Sequence, residues 1–238
     1  MNRPHIICHM MISLDGKIMG DYMNTQAAED MNNEYDRIHD EFQADAWMCG
    51  RITMDDNFTF YKAPELDPDA PEVPHIDYIA EPHAQSYVVA VDPSGRLGWT
   101  ENAISGYAKR PPAHIIEAVT ERVSNAYLAY LRKLGISYVI AGEERIDCGL
   151  LAEKLQSLFD IRTLLLEGGG VLNGAFLNAG LVDEVSLVVT AAADGSTATP
   201  TLFDVPAALP ARPATLFSLD SVQRLGGDGL WLRYKTKK

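Results

Sequence analysis

The sequence predicts an α/β fold: a mostly parallel central sheet flanked by helices, with an antiparallel C-terminal edge. Two observations predict it. Short apolar runs alternate with stretches of helical periodicity across most of the 238 residues, the pattern of a parallel sheet with helices on its faces. Near the C-terminus, two candidate strands flank Gly226-Gly227-Asp228-Gly229, a glycine turn tight enough to pair them antiparallel. No repeat, low-complexity tract or linker breaks the chain, so a single domain over 1–238 is expected.

The first strand is His5 to Ile12, an apolar run without a breaker, closed by the turn chemistry of Ser13-Leu14-Asp15-Gly16-Lys17. Ala27, Ala28, Met31, Tyr35, Ile38 and Phe42 then recur every three or four residues and form one apolar helix face, with Thr25 able to cap its start. Ala46 to Cys49 reads as a buried strand ending at Gly50. Ser86 to Asp92, His114 to Thr120, Ile136 to Gly142, Ile161 to Leu166 and Glu184 to Thr190 read as strands. Helices are expected at Ser124 to Leu134, at Leu150 to Phe159 with Asp147 as cap, and at Val171 to Ala179. The tail strands are expected at Thr215 to Leu219 and Leu230 to Lys235.

At about 61–84 the character changes. Pro64, Pro68, Pro71, Pro74 and Pro82 are interleaved with Glu65, Asp67, Asp69, Glu72 and Asp77, which predicts a surface loop. It reads equally as an acidic excursion or as a lid over a site.

Composition excludes several classes. A net charge of −13 repels nucleic acid and anionic membranes, leaving a small molecule as the expected partner. No apolar run approaches the roughly 20 residues of a membrane span, and Met1-Asn2-Arg3-Pro4-His5 lacks signal-peptide character. Cys8, Cys49 and Cys148 are isolated, as expected of reduced thiols in a cytoplasmic protein. The six histidines form no pair at metal-ligand spacing, so no metal site is expected. Gly-x-Ser-x-Gly, Gly-x-Gly-x-x-Gly and Walker signatures are all missing.

Chemistry is therefore sought at three glycine-marked turns that follow strands, where open α/β sheets bind ligands. Gly50-Arg51-Ile52-Thr53 leads into a helix start, and Arg51 and Thr53 can add donors for a phosphate; an exposed arginine beside a helix cap reads the same way. Glu167-Gly168-Gly169-Gly170 precedes Val171-Leu172-Asn173-Gly174-Ala175. Glycines there let backbone approach a ligand closely, and Glu167 either faces the same crevice or caps the turn. Asp92-Pro93-Ser94-Gly95-Arg96 offers Ser94, within a common turn type. The residues by themselves reach an α/β protein with a phosphate-bearing ligand.

These segments, in this order, resemble the RibD C-terminal family, the reductase domain of the riboflavin pathway. Ser13 to Lys17, Ala44 to Thr53, Val88 to Leu97 and, most specifically, Leu164 to Gly174 with Ala179 to Val185 carry the likeness, which omits the acidic loop and the region around Asp194 to Pro213. The resemblance implies a dihydrofolate-reductase-like fold, NADPH as cofactor, a homodimer, and hydride transfer to the ribose C1′ of a ribosylaminopyrimidine phosphate. Carried onto this chain, it implies that Thr53, Ser94 and Gly169, Gly170, Val171, Leu172, Asn173, Gly174 and Ala175 touch NADPH. It further implies that Asp15, Thr25 and Glu167 border the substrate, while Gly50 and Arg51 are assigned to the cofactor phosphates from the chemistry of their turn alone. The zinc signature of a deaminase half is absent. His39-Asp40-Glu41-Phe42 stands where relatives place an arginine, and with the acidic loop it predicts a pocket better suited to a neutral analogue than to a phosphate. Two further readings stay open: a reductase of another heterocycle, such as a pterin, or of a carbonyl, and a non-catalytic nucleotide-binding protein.

Overall fold

A computed structural model describes residues 2–107 and 110–237; Met1, Ala108, Lys109 and Lys238 lie outside the described residues. In chain order the elements are β1 (His5–Ile12), α1 (Gln26–Glu41), β2 (Ala46–Gly50), α2 (Arg51–Met54), β3 (Tyr87–Val91), β4 (Ala103–Ile104), β5 (Ala113–Val119), α3 (Asn125–Leu134), β6 (Ser137–Ile140), α4 (Cys148–Phe159), β7 (Thr163–Leu166), α5 (Gly170–Asn178), β8 (Glu184–Val189), β9 (Phe217–Arg224) and β10 (Leu230–Thr236). A 3₁₀ turn, Asp21–Asn24, precedes α1, and a π turn, Asp55–Thr59, follows α2. The described residues fall into two compact units, one within 1–4 and 45–164, the other within 5–44 and 165–238.

In the first unit β2, β3, β5 and β6 pair in parallel, and β4 lies antiparallel on β5. Every residue of β3 and β5 is buried, as befits strands covered on both faces. Ser124 caps α3 by accepting from Tyr127 N, and Gly135 ends it in the left-handed region at φ 71°. Asp147 caps α4 by accepting from Gly149 N and Leu150 N at 2.9 and 3.0 Å. The 61–84 segment runs along the surface, and its second half is fastened down. Tyr78 forms an antiparallel bridge with Tyr138, Lys154 pairs with Asp77 at 2.8 Å, and Ser137 Oγ accepts from Ala80 N. This part of the loop covers the outer edge of β6, a strand edge that would otherwise invite pairing with another chain.

In the second unit β1 and β8 are parallel, while β8, β10 and β9 run antiparallel in that order. The expected antiparallel C-terminal edge is present, but β9 runs from Phe217 to Arg224 rather than from Thr215 to Leu219. Helix α1 is capped by Thr25, whose hydroxyl accepts from Ala28 N at 3.2 Å. Its apolar face buries Met31 and Ile38 against Met11, Val188, Leu225 and Trp231, with Tyr35 and Phe42 packed alongside.

Candidate active site

In the second unit the site begins at Glu167, the residue directly after β7. It is buried, and its Oε1 lies 2.6 Å from Nδ1 of His39, a buried residue near the end of α1. Beneath them, His9 stacks on Tyr35 with ring centroids 4.4 Å apart. His9 Nε2 meets the Tyr35 carbonyl at 3.1 Å, and that oxygen can only accept, so Nε2 carries the proton. Ser186 Oγ accepts from Trp231 Nε1 at 2.8 Å and donates to His9 Nδ1 at 3.1 Å. Burial lowers the pKa of His9 from 6.5 to about 4, so the ring is neutral within this hydrogen-bonded chain. Burial, with Glu167 nearby, also pushes the Cys8 thiol up, so this thiol stays protonated.

Past Glu167 the chain turns at Gly168 to Gly170 into α5. Gly169 has φ +63°, and among the described residues no atom beyond its chain neighbours comes within 4 Å of where its Cβ would stand. Gly170 and Gly174 differ. A Cβ at Gly170 would strike Thr201 O and the Asp204 carboxylate, and one at Gly174 would meet Asp204 C at 2.6 Å. Asn173 is buried and donates from Nδ2 to Leu202 O at 3.1 Å, and Asp204 N donates to Gly170 O at 2.9 Å. Those positions receive the chain's own 201–205 segment, whereas Gly169 and Val171 at the start of α5 remain open.

The same segment reaches the first turn. Leu202 N donates to Gly16 O, and Asp15 accepts from Asp194 N and Gly195 N at 3.0 and 2.9 Å. Asp15 also accepts from Ser13 Oγ at 2.6 Å, and these donors, Ser13 first, hold its carboxyl down at about 2. Asp15 therefore anchors the loop at 194–195 as well as lying exposed beside it. Thr25 lines an open cavity of about 670 Å³ with Met11, Met23, Asn24, Gln26 and Asn33, a volume within the roughly 300–1,000 Å³ typical of small-molecule sites.

In the first unit Gly50 ends β2 and stands at the N-cap of α2, whose Arg51 and Thr53 are half-buried. Arg51 is already engaged: its guanidinium lies 2.6 Å from the buried Asp55 carboxylate, which also accepts from Thr59 Oγ1 at 2.7 Å. Ser94 is exposed on the turn after β3. Asp92 shapes that turn by accepting from Arg96 N, and from Leu97 N at 2.9 Å, and Arg51 is close enough to act on its charge. A second cavity here, of about 190 Å³ beside Lys62, Trp99 and Tyr130, is too small for a nucleotide. Among the described residues no cluster of His, Cys, Asp and Glu could hold a metal ion, and no helix is long and apolar enough to cross a membrane.

Sequence reading did not single out His39, His9 or the 194–205 segment as parts of the site. The signal for the segment lay in Asp194 and Asp204, turn-forming acids beside Gly195 and Pro206. Of the six acidic residues counted against a phosphate, three are in ion pairs. Glu41 pairs with Arg37 at 2.8 Å, Glu65 with Lys62 at 3.3 Å and Asp77 with Lys154.

The 2,5-diamino-6-ribosylamino-4(3H)-pyrimidinone 5′-phosphate reductase of Methanothermobacter thermautotrophicus is 29% identical over 208 residues, covering 85% of this chain and 84% of that protein. The protein of the same name from Archaeoglobus fulgidus is 26% identical over 205 residues, covering 85% and 87%. Among solved structures, Acinetobacter baumannii RibD superposes with a TM-score of 0.62 at 21% identity over the whole of this chain, which spans 59% of that protein's length. A pyrimidine reductase-like protein of Corynebacterium diphtheriae superposes at 0.66 with 15% identity, covering all of this chain and 93% of the other. Both likenesses concern the fold. The sequence model of the RibD C-terminal domain matches residues 4–230, and the chain belongs to that family.

Proposed function

We propose that this chain is an NADPH-dependent reductase of the riboflavin pathway that acts on a ribosylaminopyrimidinone 5′-phosphate. The single observation that carries this reading is the turn at Gly169. Its Cβ position is unobstructed, its backbone is left-handed, and it stands at the N-terminus of a nine-residue helix, two residues after the buried Glu167. A nicotinamide cofactor fits such a place, because backbone can approach a pyrophosphate there and the helix dipole favours the anion. In the second unit Gly169 and Val171 would hold the cofactor; in the first, considered by itself, Thr53 and Ser94 are proposed as cofactor contacts and Arg51 as a phosphate contact. Gly170, Leu172, Asn173, Gly174 and Ala175 would support this cradle from behind or at its margin. When bound, the nicotinamide supplies the hydride.

The chain's own residues position the acceptor. Glu167, fixed by His39, presents a carboxyl group whose orientation is set before substrate arrives. Thr25 and the amides of Asn24, Gln26 and Asn33 line a cavity suited to the polar edges of a pyrimidine or the hydroxyls of a ribose. Asp15 keeps the loop beside it in place. Glu41, Glu65 and Asp77 are in ion pairs, and the names of the relatives favour the phosphorylated substrate. The working form proposed is a cytoplasmic homodimer.

The test is steady-state oxidation of NADPH with the 5′-phosphate named for the relatives and with its dephosphorylated form. Turnover with a higher kcat/KM for the phosphate supports the proposal. Turnover of the neutral compound alone would return the reading to a reductase of a neutral heterocycle, and NADPH binding without oxidation would favour a non-catalytic binder.

A further inference from the structure

Glu117, on β5, has no solvent exposure and sits opposite Ala90 of β3 in the parallel ladder. Asp92 follows Ala90 by two residues and continues the ladder by donating from its N–H to Ala118 O. Side chains alternate along strands, so both carboxyl groups leave the same face of the sheet. Asp92 is also fully buried. Each group has one satisfied oxygen and one orphan: Asp92 Oδ1 and Glu117 Oε2 are both buried without a hydrogen-bond partner. Buried acceptors are rarely left so, and two adjacent ionised carboxylates would make it worse.

One proton resolves both defects. We propose that Glu117 is a positioning residue whose neutral carboxyl donates from Oε2 to Asp92 Oδ1 and so fixes the turn that carries Ser94. Glu117 Oε1 accepts from Trp99 Nε1 and lies 3.3 Å from the Tyr127 hydroxyl, which donates to Leu97 O at 3.0 Å. Asp92 Oδ2 meanwhile accepts from Arg96 and Leu97 N–H. The turn is therefore held at both ends by one connected group, and it rests on the Tyr127 ring, which a Cβ at Gly95 would strike.

The charges around the pair agree. Burial raises the Glu117 carboxyl well above the ordinary range; Asp92 adds to the rise, Asp55 contributes to it, and Trp99 and Tyr127 oppose it. Burial also raises Asp92, against the Arg96 and Leu97 N–H groups and the Arg51 charge, with Asp55 pushing the same way as burial. From α3, Tyr127 and Tyr130 face Glu117 with their phenols held neutral, chiefly by burial. One proton, on Glu117, leaves a single negative charge on Asp92 within reach of Arg51.

The inference rests on the reading that the Ser94 turn meets a nicotinamide cofactor, so one readout must not depend on that. The first measurement is infrared difference spectroscopy of wild type and Glu117→Gln at neutral pH. A protonated-carboxyl C=O band present only in wild type is expected, and its absence overturns the proposal whatever the cofactor does. The second is NADPH affinity of the intact protein from neutral to alkaline pH. Wild type should lose affinity by about tenfold or more, the scale of one charge-assisted hydrogen bond. Glu117→Gln, whose amide still donates to Asp92, should hold its neutral-pH affinity throughout. Matching pH profiles for the two proteins would overturn the positioning role. If the band is present and neither protein binds NADPH, the functional reading fails and the shared proton stands.

Discussion

His39 Nδ1 and Glu167 Oε1 stand 2.6 Å apart, with their side chains only 10% and 4% exposed. The pair ties the end of α1 to the residue that opens the glycine turn. Removing one member of such a buried hydrogen-bonded pair strands the other, at a cost of about 1–3 kcal/mol. His39→Ala and Glu167→Ala should each lower the unfolding free energy by roughly that amount in urea. The double mutant should fall short of their sum by about 1 kcal/mol or more. Strict additivity would show that the two side chains are neighbours without coupling.

Gly169 and Gly170 are adjacent but should respond oppositely to alanine. At Gly169 the protein offers no obstacle, so Gly169→Ala costs only the left-handed backbone, about 1 kcal/mol. Its loss should appear in cofactor affinity. At Gly170 the new Cβ meets Thr201 and Asp204, so Gly170→Ala should show its loss as a lowered Tm. Thermal melts and NADPH titrations of the two variants check this. A folded Gly169→Ala with undiminished affinity would make the turn purely structural.

His9 predicts an acid limit to stability. Its pKa lies at about 4 in the fold against 6.5 when exposed. The unfolded chain therefore binds the proton first, and this stability is present above 6.5 and lost as pH falls toward 4. The loss should amount to roughly 3 kcal/mol. Urea melts across this range should show the slope in wild type and a flatter one in His9→Gln. Equal slopes would mean that His9 is not buried as a neutral ring.

Much of this was legible in the sequence. The apolar stretches of β1, β3 and β5 are buried, and each reads as a strand from its sequence. Thr25, Ser124 and Asp147 sit where caps belong, because a cap is a local event between residues two or three apart. The full extent of β9 was not legible. Its residues Ser218 to Arg224 are exposed on both faces, so no alternation marks the strand, and pairing with β10 alone defines it. The His39–Glu167 contact joins residues 128 apart in sequence, and no local pattern encodes it. Glu117 reads as a polar interruption of an apolar strand, and only the register beside Asp92 explains why it is tolerated. The glycine turn was read as a place for ligand throughout, yet half of it receives the 201–205 segment, because glycine marks close approach without saying of what.

The last prediction concerns cofactor choice and Arg51. Its guanidinium neutralises the buried Asp55, and about a third of the side chain remains exposed, so it can serve the fold and a phosphate together. Arg51→Ala confuses the two roles, because it strands Asp55 at a cost of about 1–3 kcal/mol. The double variant Arg51→Ala with Asp55→Ala separates them, since no buried charge is left behind. It should recover most of the stability lost by the single variant. If Arg51 meets the phosphate that distinguishes NADPH from NADH, preference for NADPH should fall about tenfold or more in both variants, the worth of a charge-assisted contact. Calorimetry with each cofactor on all three proteins decides between the roles. Preference that survives in the double variant would assign Arg51 to Asp55 alone and move the phosphate contact elsewhere.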